Sequence, residues 1–99
     1  MKLKEIAIAR SGDKGNHANI GVVARQPADY ALLRQKLTEA RVALYFVGLQ
    51  ATRVTRYELP LVQGLNFVLE NVLAGGASQS PRIDTQGKLL GTALMELEL

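Results

Sequence analysis

A two-layer α+β sandwich, a four-stranded sheet with helices mainly on one face, is the architecture this sequence predicts. Three observations carry it. Apolar residues alternate in two early segments, Leu3 to Arg10 and Asn19 to Arg25, the period of a strand with one face buried. They recur at helical spacing in Tyr30, Leu33 and Leu37, and again in Val42, Tyr45, Phe46 and Leu49, the period of an amphipathic helix. Glycine, proline and small polar residues punctuate the segments between.

In chain order, Leu3 to Arg10 is a strand with Ile6 and Ile8 on one face and Ala7 and Ala9 on the other. Ser11 to Asn16 is a turn or loop, because Ser-Gly and Lys-Gly-Asn break regular structure. Asn19 to Arg25 is the second strand, burying Ile20, Val22 and Ala24. The short connection makes the two an antiparallel hairpin. Gln26-Pro27 ends it, and Ala28 to Leu37 is a helix with Asp29 placed to suit its dipole. Thr38 caps a second helix, Glu39 to Val47, which Gly48 stops. Thr52 to Leu59 is rich in β-formers and reads as the third strand.

Pro60 suits a helix start. Leu61, Leu65, Val68, Leu69 and Val72 make a helical stripe through Ala74, which Gly75-Gly76 ends. Ala77 to Ser80 is a flexible loop and Pro81 to Gly87 is irregular. Lys88 to Leu99 alternates as the last strand. Its second face is also apolar at Leu90 and Leu94, which suggests that a partner chain covers part of the outer sheet surface. Two helical crossovers then join strands, and the order strand-strand-helix-helix-strand-helix-strand is a ferredoxin-like variant.

Composition narrows the function classes. Ninety-nine residues fit a single domain, 1–99, and a chain this size buries about 60–65% of its unfolded surface. There is no cysteine and one histidine, which excludes disulfides, thiolate catalysis and a multi-histidine metal centre within one chain. No metal and no cofactor is expected. The net charge of +3 comes without a run of five like charges, so no basic arm for nucleic acid or membrane is expected. No apolar run is long enough to span a bilayer, and no signal-peptide pattern opens the chain. A cytoplasmic location follows as the default.

The densest chemistry lies in Arg10-Ser11-Gly12-Asp13-Lys14-Gly15-Asn16-His17-Ala18-Asn19-Ile20-Gly21. Ser, Asp, Lys, Asn and His fall within nine positions, between two predicted strands, where a rigid scaffold positions loops that carry function. This stretch resembles the C-terminal domain of the acyclic terpene utilisation protein AtuA family. Three further segments resemble that family in the same order: Arg56-Tyr57-Glu58-Leu59-Pro60 with Leu65-Asn66-Phe67-Val68-Leu69, then Gly75-Gly76-Ala77-Ser78, then Arg82-Ile83-Asp84-Thr85-Gln86-Gly87-Lys88. The resemblance implies the small ferredoxin-like domain in stand-alone form, without the larger N-terminal domain that family members carry. It also implies an association with catabolism of acyclic terpenes and acyl-CoA thioesters. Where relatives have further glycines, this chain has Ala77.

Each candidate has a plain structural reading beside the functional one. The segment Ser11, Gly12, Asp13, Lys14, Gly15, Asn16 is either an anion nest, with converging backbone N–H groups and a Lys14 charge, or a hairpin loop whose Asp13 and Asn16 satisfy local backbone. Its glycine spacing is neither a Walker A loop nor a dinucleotide fingerprint. Asp13 and His17 form an acid–base pair, or His17 is a half-exposed strand residue, which is the favoured reading. Asn66, placed on a helix, needs partners if buried, and with Asn19, Gly75, Gly76 and Ser78 it completes a ligand site around the first loop. Arg82, Asp84 and Lys88 are more simply a solvated turn. Arg53, Arg56 and Tyr57 lack the aromatic motif of an RNA-binding sheet, so no nucleic acid is expected.

The sequence thus predicts an accessory or binding domain whose Ser11–Asn19 segment holds an anionic ligand, such as an acyl-CoA or carboxylate, or a partner. The partner is a second copy of the chain or a larger catalytic subunit. The alternative is an enzyme acting on acyl-CoA thioesters or carboxylates. There Asp13 or His17 is the general base, and Lys14 and backbone N–H groups stabilise the anion.

Overall fold

The computed structural model describes residues 1–72 and 83–99. A short 3-10 turn, Leu3–Glu5, leads into strand β1 (Ala7–Lys14), which pairs antiparallel with β2 (His17–Ala24). Two helices follow, α1 (Pro27–Lys36) and α2 (Glu39–Tyr45), and then strands β3 (Arg53–Leu59) and β4 (Gly64–Glu70). Helix α3 (Ile83–Leu94) comes last. The sheet has strand order β1-β2-β4-β3, with every neighbouring pair antiparallel. This is the expected α+β architecture, a four-stranded sheet with its helices against one face.

One face of the sheet builds the core. Ala7 and Ala9 of β1, Ala18, Ile20, Val22 and Ala24 of β2, and Leu65, Phe67 and Leu69 of β4 are buried. Tyr30, Leu33 and Leu37 around α1, Val42 of α2, and Leu90 and Leu94 of α3 close over them in the same cluster. Helix α2 is capped as its sequence predicts: the Arg41 N–H donates to Thr38 Oγ1 at 3.2 Å, satisfying one of the free donors of the first turn. The C-terminal end of α1 is held by Arg56 of β3, whose guanidinium donates to the Arg34 and Leu37 carbonyls at 2.8 and 3.0 Å.

Four expectations need correction. Strand β1 starts later than predicted, because Leu3 turns inward in the 3-10 segment, and it is Ala7 and Ala9, not Ile8, that face the core; Ile8 is 48% exposed. The predicted loop Ser11–Asn16 is mostly strand. Ser11 to Lys14 continue β1, and only Gly15 and Asn16 turn the chain, with Lys14 paired to His17. Gly15 has φ +64° at the first central position, where a two-residue hairpin wants a glycine. The predicted helix from Pro60 to Ala74 is instead a 3-10 turn, Pro60–Val62, followed by β4. Leu65, Phe67 and Leu69 alternate inward there. The predicted last strand, Lys88 to Leu99, is the second half of α3 and a short tail, and the irregular Pro81–Gly87 segment runs into α3 at Ile83.

The order is therefore strand-strand-helix-helix-strand-strand-helix. A single helical crossover, through α1 and α2, joins β2 to β3, while β3 and β4 form a hairpin. Leu90 and Leu94 are buried beneath α3 rather than on an outer sheet face.

The two ends of the chain meet. Leu3 N–H donates to the Leu97 carbonyl at 2.8 Å, Lys4 N–H to Met95 at 2.9 Å and Leu99 N–H to Met1 at 2.9 Å. Glu96 bridges the Lys2 and Lys4 ammonium groups at 2.8 and 3.0 Å.

Candidate functional site

Strand alternation, not a loop, decides where the predicted site residues go. Successive residues of β1 point to opposite faces. Ser11 therefore faces the helices, where the Gly91 N–H of α3 donates to its hydroxyl at 2.7 Å. Asp13 lies on that same face, at its exposed end, opposite Ala18. Gly12 lies on the other face, opposite Asn19. The continuous motif in the sequence thus divides into a half that seats α3 and a half that faces away from every helix.

The second half is a candidate site. Cross-strand pairing lays residues of this open face in rows. One row runs Ile8, Val23, Gly64 and Leu59; the next Arg10, Gly21, Asn66 and Tyr57; the third Gly12, Asn19, Val68 and Thr55. Asn66 is on β4, not on a helix, and its Oδ1 lies 3.9 Å from where a Cβ on Gly21 would stand. The Asn19 Oδ1 is 3.5 Å from the corresponding point on Gly12. The missing side chains leave a shallow floor. A depression of about 370 Å³ opens there, lined by His17, Ala18, Asn19, Asn66 and Val68.

Arg10 borders this floor. It is the one arginine among the described residues with no hydrogen bond or ion pair; Arg25, Arg34, Arg41, Arg53 and Arg56 each have one. The side chains of Asn19, Asn66 and Tyr57 likewise make no hydrogen bond among the described residues. Beside them Ile8, Val23, Tyr57 and Leu59 are exposed, and Leu61 and Val62 project next to Leu59. The face is therefore graded, from apolar at one end to amide and guanidinium groups at its centre.

The sequence points to Gly12, Asn19 and Asn66 of this group; it names Arg10 and Tyr57 but leaves both out of the ligand site. The signal was present: Arg10 is two residues from Gly12, and Tyr57 has the parity of Thr55. Only the pairing of β4 between β2 and β3 brings them together.

The remaining candidates are placed elsewhere. Gly15 and Asn16 form the hairpin tip, with Lys14 at its base. Gly75, Gly76, Ser78 and Arg82 lie outside the described residues, and Asp84 and Lys88 belong to α3. Arg56, which the sequence sets beside Arg53, turns to the helix side. His17 is on the open face, and its Nδ1 accepts from the Asn71 backbone N–H at 3.1 Å. A neutral imidazole that accepts at Nδ1 carries its proton at Nε2, which leaves no free lone pair for a base. Asp13 and His17 sit on opposite faces of the hairpin.

Two other features hold no comparable chemistry. A wider depression of about 420 Å³ lies among Thr38, Glu39, Ala40, Arg56 and Glu58, but its polar groups are already engaged: the Arg56 N–H donates to Glu39 and its guanidinium to Glu58. Among the described residues no three His, Asp or Glu side chains gather to hold a metal ion, and no helix is long and apolar enough to cross a membrane.

The fold agrees with one family. The family model described as the AtuA ferredoxin-like domain matches residues 1–99. Searches of curated proteins and of solved structures return no match. With the match running the whole length of the chain, the protein belongs to the AtuA ferredoxin-like domain family.

Proposed function

We propose that this chain is an accessory binding domain that docks the open face of its sheet onto another protein surface. The contact centres on Arg10, Asn66 and Tyr57, with Gly12 and Asn19 beside them. One observation carries the reading: among the described residues, a sheet face with no helix against it combines exposed Ile8, Val23, Tyr57 and Leu59 with an arginine that has no side-chain partner. Arginine and tyrosine are the side chains that most often anchor protein interfaces, where aliphatic neighbours exclude water around them. In the setting the AtuA resemblance implies, the partner is another subunit in the cytoplasmic catabolism of acyl-CoA or acyclic terpenoid compounds.

The chain has no cysteine, so a single introduced thiol reports directly. Val23→Cys labels the open face, and Leu44→Cys, 73% exposed on α2, labels the helix side. In extracts of cells expressing each variant at native level, the thiol at 23 should react much more slowly than the thiol at 44. Equal rates in extract and in dilute purified protein overturn the reading.

An anionic ligand is the second reading, favoured by Arg10 standing beside the bare backbone of Gly21 and the amide of Asn66. A guanidinium fork and an amide suit a carboxylate or phosphate. Thermal unfolding against acetyl-CoA, free CoA, acetate and phosphate tests it. A ligand at a hundred times its Kd adds about 2.7 kcal/mol to a native state it alone binds. A rise lost on Arg10→Ala supports the ligand; no rise with any of the four removes it. The separation of Asp13 from His17 on opposite faces of the hairpin disfavours only their acting together as an acid–base pair.

A further inference from the structure

The open face is self-complementary, and we infer that its partner is a second copy of this chain, packed face to face about a two-fold axis that runs along the strands between β2 and β4. This inference rests on the docking reading above and names the partner.

Such an axis places β1 of one copy over β3 of the other and β2 over β4, while keeping each row against the same row. Arg10 then meets the partner's Tyr57, a cation over an aromatic face. Ile8 meets the partner's Leu59. Every glycine of the three rows faces a residue that bears a side chain. Asn66 enters the notch at the partner's Gly21, Val23 the notch at the partner's Gly64, and Thr55 the notch at the partner's Gly12. In a two-fold contact each of these pairs occurs twice.

Charge decides between the possible axes. An axis across the strands would press Ile8, Val23 and Leu59 onto the far end of the face, where the Arg53–Glu70 pair sits at 4.0 Å next to His17. Burying those charges against aliphatic side chains is costly. The axis along the strands keeps the apolar row on its apolar counterpart and leaves the charged end at the rim.

The area is adequate for such a contact. Four strands about 4.8 Å apart, each seven residues at about 3.4 Å, present roughly 450 Å² in projection. Side-chain relief, with Leu61 and Val62 at the margin, extends this toward the ~800 Å² per partner of a stable interface.

Ile8 and Leu59 lie on opposite edges of the same sheet, three strand spacings or about 14 Å apart, too far for a disulfide within one chain, which needs Cα atoms about 4.4–6.8 Å apart. Sheets packed face to face lie about 10 Å apart, so the double variant Ile8→Cys, Leu59→Cys should form a covalent dimer with a short bismaleimide that spans this gap, and neither single variant should do so efficiently. The unmodified protein should sediment as a dimer at micromolar concentration. Val23→Arg and, separately, Tyr57→Glu should give monomers with unchanged circular dichroism; both sites are exposed, so at least one variant should fold.

A monomer at all concentrations overturns the inference. So does a dimer that survives both substitutions, or one that cross-links through Ile8→Cys alone, as pairing of β1 edges would. Protection of the thiol at 23 in extract without self-association would leave docking standing and reject only the second copy.

Discussion

Gly91 shows how one residue can override a propensity. In an exposed helix interior, replacing glycine by alanine favours the helix by up to about 1 kcal/mol. Here an added Cβ would stand 2.9 Å from the Arg10 carbonyl carbon and from the Ser11 nitrogen. Both are backbone atoms of β1 and cannot rotate away. Overpacking of this kind costs about 1–3 kcal/mol, and a shift of α3 would also stretch the bond from Gly91 N–H to Ser11. Gly91→Ala should therefore destabilise the protein by about 1–2 kcal/mol in urea unfolding, the clash outweighing the propensity. Gly48→Ala, with nothing within 4 Å of its Cβ, is the control and should lack that penalty. Ser11 stands out in the sequence as a candidate ligand residue, and its hydroxyl accepts the Gly91 N–H of α3. Nothing in the local sequence signals this, because Gly91 is 80 residues away.

Among the elements, legibility follows how local the forces are. Helix α1, the Thr38 cap of α2, strand β2 and the edge strand β3 are set by period, capping and β-propensity within a few residues, and all are read within two or three residues of their ends. Strand β4 is not. Its segment satisfies two periods at once: Leu61, Leu65, Val68 and Leu69 fit a helix, whereas Leu65, Phe67 and Leu69 fit a strand. Gln63 and Asn71 adopt left-handed φ of 55° and 62° at its two ends, and pairing on both sides selects the strand. The C-terminal segment errs in the opposite direction. Leu90 and Leu94 are one helical turn apart and both buried, and a leucine- and alanine-rich composition favours the helix; the alternation there is coincidental. The site follows the fold: Gly12 and Asn19 are legible, but the place of Asn66 and the inclusion of Arg10 and Tyr57 require the strand order. One inter-element bond is open to direct test. Arg56→Ala removes two charge-assisted hydrogen bonds from the end of α1. It should cost about 1.5–3 kcal/mol in urea unfolding, while truncation of the more exposed Arg53, 4.0 Å from Glu70, should cost well under about 1 kcal/mol.

For the molecule as a whole, the meeting of the two ends gives stability a dependence on pH. The hydrogen bond from Lys2, with that from Lys4, holds the Glu96 carboxyl below its ordinary value. The same bond to Glu96 raises Lys2 above its ordinary value. A carboxylate with a lowered folded pKa contributes stability above its unfolded pKa and loses it as pH falls through the folded value. An ammonium with a raised pKa contributes below its unfolded pKa and loses it as pH rises through the folded value. The ion pairs therefore act across neutral pH and fade at both extremes. Glu96→Gln should lower the unfolding midpoint slightly at neutral pH and make it less sensitive to acid. The difference from the unmodified protein should shrink in high salt, since these groups are exposed and screened.

The same closure makes the numbering of the chain nearly arbitrary to the fold. Met1 and Leu99 are hydrogen-bonded neighbours, so a few glycines could join them into a ring without moving a strand. That ring could be cut instead between Gly15 and Asn16, at the two-residue tip of the β1–β2 hairpin. A circular permutant opened there would begin at β2 and end at β1, with the core rows in register and the open face intact. By the same geometry, both ends could be spliced into a single surface loop of a host protein, and the domain would emerge as a lateral insert with its uncovered sheet turned outward.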